Sequence, residues 1–139
     1  MRIKDASLNF LGFWIGNSIK QNDLEIFDPK MLRDFLYIDD LVALLKKMMF
    51  SVGNDLIYNV GSPLGITLLE LASCLQILTG VDIKYSKMPQ ALNKIKLNKY
   101  TSDTTLVSSI FNWEPEVSIT DGLIKSIEYF TNNMKAYDE

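Results

Sequence analysis

The chain has 139 residues, 47% of them apolar, and a net charge of −3. The apolar share supports a hydrophobic core and excludes a disordered chain, and the acidic balance excludes nucleic acid as the main partner, since phosphate binding needs a clustered basic face. With no histidine and a single cysteine, Cys74, the sequence excludes histidine-based triads, histidine metal sites and an internal disulfide.

In chain order, residues 8–20 are expected to form a helix capped by Ser7, with Leu8, Leu11, Trp14, Ile15 and Ile19 on one side. Gly12 and Gly16 lie at a spacing that suits a close helix crossing, although each costs about 1 kcal/mol against alanine. The apolar run LNFLGFWIG is too short to span a bilayer and lacks a small-residue cleavage pattern. No membrane partner is expected, and the single cysteine fits a reducing, cytoplasmic setting. DLEIF alternates as a short strand that stops at Asp28 and Pro29. LRDFLYI is a second extended run, after which Asp39 or Asp40 is expected to cap a helix with Leu41, Leu44, Leu45, Met48 and Met49 inward. Lys46 and Lys47 suit the C-terminal end of that helix, and Gly53 ends it. LIYNV, residues 56–60, reads as another short β-run.

TLLE, residues 67–70, is a capping box: Thr67 at the N-cap and Glu70 three residues on. The helix it opens runs to Thr79 and stops at Gly80. Cys74 sits among apolar residues within it and reads as a small core residue. VDIKYS alternates as a strand. Residues 87–99 read as a loop in a lysine-rich stretch with Lys84, Lys87, Lys94, Lys96 and Lys99, whose ordinary role is a solvated face. A short helix is expected over 103–111, broken by NWEPEV because of Pro115. Ser118 and Asp121 form a weaker box for a last helix with Ile119, Leu123, Ile127 and Phe130 inward, and the tail after Asn132 is polar. Helices and short strands alternate throughout 1–139, so a single α/β domain is expected.

Several chemistries are missing. The glycines form neither GxGxxG nor GxxxxGK[ST], and no tyrosine is followed four residues later by lysine. Asp39 and Asp40 are neighbours, which on a helix point about 100° apart and do not converge on one proton. The residues alone support a soluble α/β domain with one anion-binding candidate, Arg33, whose structural alternative is an ion pair with Asp34, Asp39 or Asp40.

Three stretches carry a resemblance. RDFLYIDDLVALL resembles the R-D-[FY]-x-[YH]-V-x-D signature of the extended short-chain dehydrogenase/reductase family, the NAD-dependent nucleotide-sugar epimerases and dehydratases. YNVGSPLGITLLELASCLQILTG is similar to that family's next signature, and DTTLVSSIFNWEPEVSITDGLIKSIEYF to its third. The order and spacing agree over about residues 8–131. The resemblance implies a small mixed α/β domain that is the C-terminal half of the fold, without the N-terminal Rossmann half and its glycine-rich NAD loop, catalytic Ser/Thr and Tyr-x-x-x-Lys. A truncated or separately encoded piece is expected, with NAD implied for the intact enzyme and no cofactor for this chain.

By the same resemblance, Arg33 contacts the diphosphate of a nucleotide sugar and Phe35 lies by the nucleotide, without the hydroxyl that tyrosine brings in some members. Lys94 or Lys96 supplies a second cation. Asn112 stands where a glycine is usual and also tolerates a left-handed backbone. Asp39 and Asp40 are expected to serve as a helix cap, Trp113 as core, and Tyr37 and Tyr58 as half-buried sheet residues. The expected function is the nucleotide-sugar-binding portion of an epimerase or dehydratase, catalytically incomplete alone; the alternative is a non-catalytic binding or assembly module that keeps the fold and has lost the ligand. The unpaired YNVG strand and the apolar first helix call for a partner, either a Rossmann half or a second copy.

Overall fold

The computed structural model describes residues 10–51, 57–87 and 99–133. Burial alternates along β1 (Leu24–Ile26): Leu24 and Ile26 are buried and Glu25 is exposed, as a half-buried strand requires. It pairs in parallel with β4 (Ile83–Tyr85), Leu24 opposite Ile83. Parallel strands need a long crossover, and four elements lie within it. These are β2 (Leu32–Asp34), α2 (Ile38–Met49) and β3 (Gly65–Thr67), followed by α3 (Leu68–Thr79). β2 and β3 form a second pair, antiparallel, with Arg33 opposite Ile66. α1 (Phe10–Ile19) precedes β1, and α4 (Thr105–Phe111) and α5 (Ile119–Asn133) follow β4. The fold is mixed α/β, as expected.

The larger core cluster joins Trp14 and Ile15 of α1, Leu24 and Ile26 of β1, Leu71, Ala72 and Leu75 of α3, and Leu123 of α5. Gly16 is buried, and α1 packs on α3 and α5. A smaller cluster joins Leu44, Val107 and Trp113, with Tyr58 and Phe111 edge to face against it. Among the described residues no helix is long and apolar enough to cross a membrane.

Helix ends with local signals formed as read. The Thr67 hydroxyl accepts the Glu70 N–H, and Glu70 Oε2 accepts the Thr67 N–H at 2.8 Å. Gly80, with φ 76°, closes α3, and Asn112, with φ 44°, closes α4 in the left-handed region expected of it. Ser118 Oγ accepts the Asp121 N–H at α5. Trp113 is core at 4% exposure, Cys74 is partly buried against the larger cluster, and Tyr37 and Tyr58 are half-buried, although neither lies in a strand.

Other expectations need correction. α2 starts at Ile38 with Tyr37 as N-cap and no side-chain cap, so neither Asp39 nor Asp40 caps it. Its inner face carries Asp40 and Leu44, whereas Leu45 (49% exposed) and Met49 (77%) point outward. The reason is Asp40: its carboxylate is drawn inward to the backbone N–H groups of Glu116 and Val117, both at 3.1 Å, and this sets the rotation of the helix. Residues 57–60 are not a strand; Tyr58 and Val60 pack on the smaller cluster and Ile57 is exposed. The LRDFLYI strand is limited to its first three residues. Ser7, Leu8, Gly53, Pro89 and the C-terminal tail lie outside the described residues.

Candidate functional site

A strand of three residues has few contacts to hold it, and β2 is held on both edges. On one, β3 pairs with it. On the other, Lys99 bridges to Leu32 in parallel, and the Tyr100 N–H donates to the Leu32 carbonyl at 3.1 Å. Leu32 meets the close approach of Gly65, where a Cβ would come within 2.6 Å of Leu32 Cδ2. Strand alternation puts Arg33 on the opposite face from Leu32 and Asp34. Arg33 is half-buried, and its Nη1 donates to the Leu32 carbonyl at 2.7 Å.

Asp34, Asp39 and Asp40 each have a described contact. Asp34 Oδ2 accepts the Ser102 N–H at 2.9 Å. Asp40 holds the 116–117 amides, and its backbone carbonyl accepts the Trp113 indole N–H at 3.1 Å. Asp39 lies 3.9 Å from Lys125 Nζ, which also sits 5.1 Å from the Tyr37 ring centroid. The role of Asp40 as a staple between α2 and the 113–117 turn escaped the sequence reading. Its only signal was a proline-broken segment whose N–H groups had no local partner.

Phe35, one residue beyond β2, is half-buried. Its ring meets Phe10 edge to face at 5.9 Å, and Phe10 meets Trp14 at 5.4 Å, so Phe35 is anchored in the larger core. Its other side lines a groove of about 650 Å³ between the 62–66 turn, Glu70 and residues 114–119. Arg33 does not line that groove. Arg33 and Phe35 thus lie two residues apart, and the described groove that Phe35 lines does not include Arg33. Lys94 and Lys96 lie outside the described residues; Lys99, at the end of the same lysine-rich stretch, is seated beside Leu32.

Electrostatics narrow where an anion can go. A helix N-terminus is a natural phosphate site. Here the α3 terminus is filled by Glu70, whose carboxyl is held below its ordinary range by hydrogen bonds from Thr67. The α5 terminus is filled by Ser118 and Asp121, and the first turn of α2 carries Asp39 and Asp40. These ends do not suit the pyrophosphate of a dinucleotide, and no strand, glycine loop and helix combination stands among the described residues to replace them. Nor do the described residues gather three or more His, Cys, Asp or Glu groups able to hold a metal.

No family model matches the chain. It is 27% identical over 129 residues to UDP-glucuronic acid decarboxylase 1 of Arabidopsis thaliana, a match that covers 91% of this chain and 28% of that protein. The UDP-glucose 4-epimerase of Thermotoga maritima, solved with UDP-glucose, superposes with a TM-score of 0.79 at 26% identity, over 91% of this chain and 40% of that one. The chain is thus similar, over part of their length, to UDP-sugar epimerases and decarboxylases of the extended short-chain dehydrogenase/reductase family. The UDP-glucuronic acid 4-epimerase of Bacillus cereus, solved with UDP-glucuronic acid and NAD, shares the fold at 24% identity and a TM-score of 0.72, over 86% of this chain and 38% of that one. The chain spans less than half the length of these relatives.

Proposed function

We propose that this chain is the nucleotide-sugar-binding portion of an NAD-dependent epimerase or dehydratase, and that hydride transfer is carried by residues outside it. The observation that carries the reading is Arg33, presented by a strand held on both edges, in a chain that matches an epimerase solved with UDP-glucose over 91% of its length. A guanidinium can grip a diphosphate with two parallel hydrogen bonds, which a helix terminus already filled by carboxylates cannot. By the resemblance Phe35 supplies an apolar face for the nucleotide, and Lys94 or Lys96 supplies a second, weaker cation. NAD, when bound, supplies the hydride acceptor for sugar chemistry. In this reading its pyrophosphate is held by the part of the fold that the relatives have and this chain does not match. The reading is tested by calorimetry of the chain against UDP-, GDP-, CDP- and dTDP-sugars: saturable binding of one class supports it, and no binding to any of them overturns it.

The exposed face of α2 supports the partner half of the same reading. Ile38, Val42, Leu45 and Met49 recur at spacings of four, three and four, all at least 40% exposed, opposite the buried Asp40 and Leu44. A helix apolar on both sides needs cover on both. In this reading the cover is the Rossmann half, and the chain alone associates with itself through the same stripe. Light scattering should find an assembly larger than a monomer that Val42→Glu and Leu45→Glu return to monomer. A monomer before substitution contradicts the partner proposal.

A further inference from the structure

We infer that Asp34 is a positioning residue for Arg33, tethering the segment after the lysine-rich stretch to the strand that presents the guanidinium. The inference rests on the proposed role of Arg33 and goes one step beyond it. In a parallel ladder, the N–H of Tyr100 bonded to the Leu32 carbonyl would be followed by the N–H of Ser102 bonded to the backbone carbonyl of Asp34. That second rung goes instead to the Asp34 side chain, Oδ2, at 2.9 Å. The ladder accordingly ends as an isolated bridge at Leu32 and Lys99, and a carboxylate carries the connection onward.

The junction is tightly enclosed. Gly61 is buried against it, and a Cβ at that position would lie 2.4 Å from Asp34 Oδ2 and 2.5 Å from Ser102 Oγ. Three segments distant in sequence, at 34, 61 and 102, therefore meet at one carboxylate. Arg33 precedes it by one residue and points to the other face, so the tether fixes the arginine's backbone without occupying its side of the strand. With β3 on the opposite edge, Arg33 has one register and one direction. A bidentate grip on a diphosphate depends on that fixed direction.

The test pairs amide exchange at Ser102 with UDP-glucose titration of the full chain. Asp34→Ala removes the acceptor; Asp34→Asn removes the charge and keeps an acceptor oxygen. We expect Asp34→Ala to speed exchange at Ser102 and weaken UDP-glucose about tenfold, the scale of a lost hydrogen bond. Asp34→Asn should keep both close to the unmutated chain. Arg33→Ala should weaken binding and leave Ser102 exchange as it was. If Asp34→Ala fails to fold, Gly61→Ala makes the same comparison, since the added methyl displaces the carboxylate at unchanged charge. Binding that survives Asp34→Ala, or an Asn variant as weak as the Ala variant, overturns the inference alone. No binding by the unmutated chain overturns the functional reading on which it rests, while exchange at Ser102 still reports whether the tether exists.

Discussion

Two strand pairs of equal length do different work in this chain. β1 and β4 pair in parallel, and β1 drives both its outer residues into the large core, with Leu24 and Ile26 at 0% and 1% exposure. β2 and β3 pair in antiparallel, and every residue of both strands is only half-buried. The first pair is held by burial. The second is held by the Lys99 bridge, the Asp34 carboxylate and the close approach of glycines 61 and 65. A strand buried on its core face can present nothing there to a ligand. A strand fixed by hydrogen bonds and tight backbone contact can keep a charged side chain accessible in one orientation, and Arg33 lies on such a strand.

The contrast predicts where substitutions act. The largest effect should come from Leu24→Ala, which removes a fully buried side chain and should cost about 2–5 kcal/mol of stability in urea unfolding, with UDP-glucose affinity retained under conditions where the variant is folded. Gly65→Ala should cost less, about 1–3 kcal/mol, because its methyl meets the Leu32 side chain and Thr101 rather than open space. It should nevertheless weaken UDP-glucose, since Leu32 adjoins Arg33. A larger stability loss for Gly65→Ala than for Leu24→Ala would break the division of labour between the pairs.

The smallest effect is set by pH. The Glu70 carboxyl is held below its ordinary 4.5 by hydrogen bonds from Thr67. A depressed carboxyl adds stability above its unfolded value and loses it as the pH falls through the folded one. The melting temperature should therefore decline in acid from about pH 4.5 downward, and Thr67→Ala should flatten that part of the profile while lowering the neutral value. Parallel profiles for the two proteins would show that the cap contributes nothing to the acid limb.

Much of the fold was legible where its cause was local. The Thr67 and Glu70 box, Gly80 and the left-handed Asn112 each depend on residues within a turn of one another, and each formed as read. The misreadings share a long-range cause. Asp40 looked like a cap because acidic residues before a helix usually are; its bonds instead reach residues 76 and 77 positions away and turn Leu45 and Met49 outward. The β pattern at 56–60 found no pairing among the described residues, so alternation there sorted side chains without making a strand. Arg33 and Phe35 were named from a motif, but the strand ends between them, which is why Phe35 turns toward the core and the groove and Arg33 does not line it.

The central claim is that Arg33 grips the diphosphate of a nucleotide sugar. Its most direct test is calorimetric titration of UDP-glucose into the unmutated chain, Arg33→Ala and Arg33→Lys, with the melting temperature of each measured alongside. The account predicts that Arg33→Ala weakens binding by about 1.5–3 kcal/mol, roughly tenfold to a hundredfold, and that lysine restores only part of it. Stability should move by no more than about 1 kcal/mol. Unchanged UDP-glucose affinity together with a clear drop in melting temperature would assign Arg33 to the fold and contradict the account.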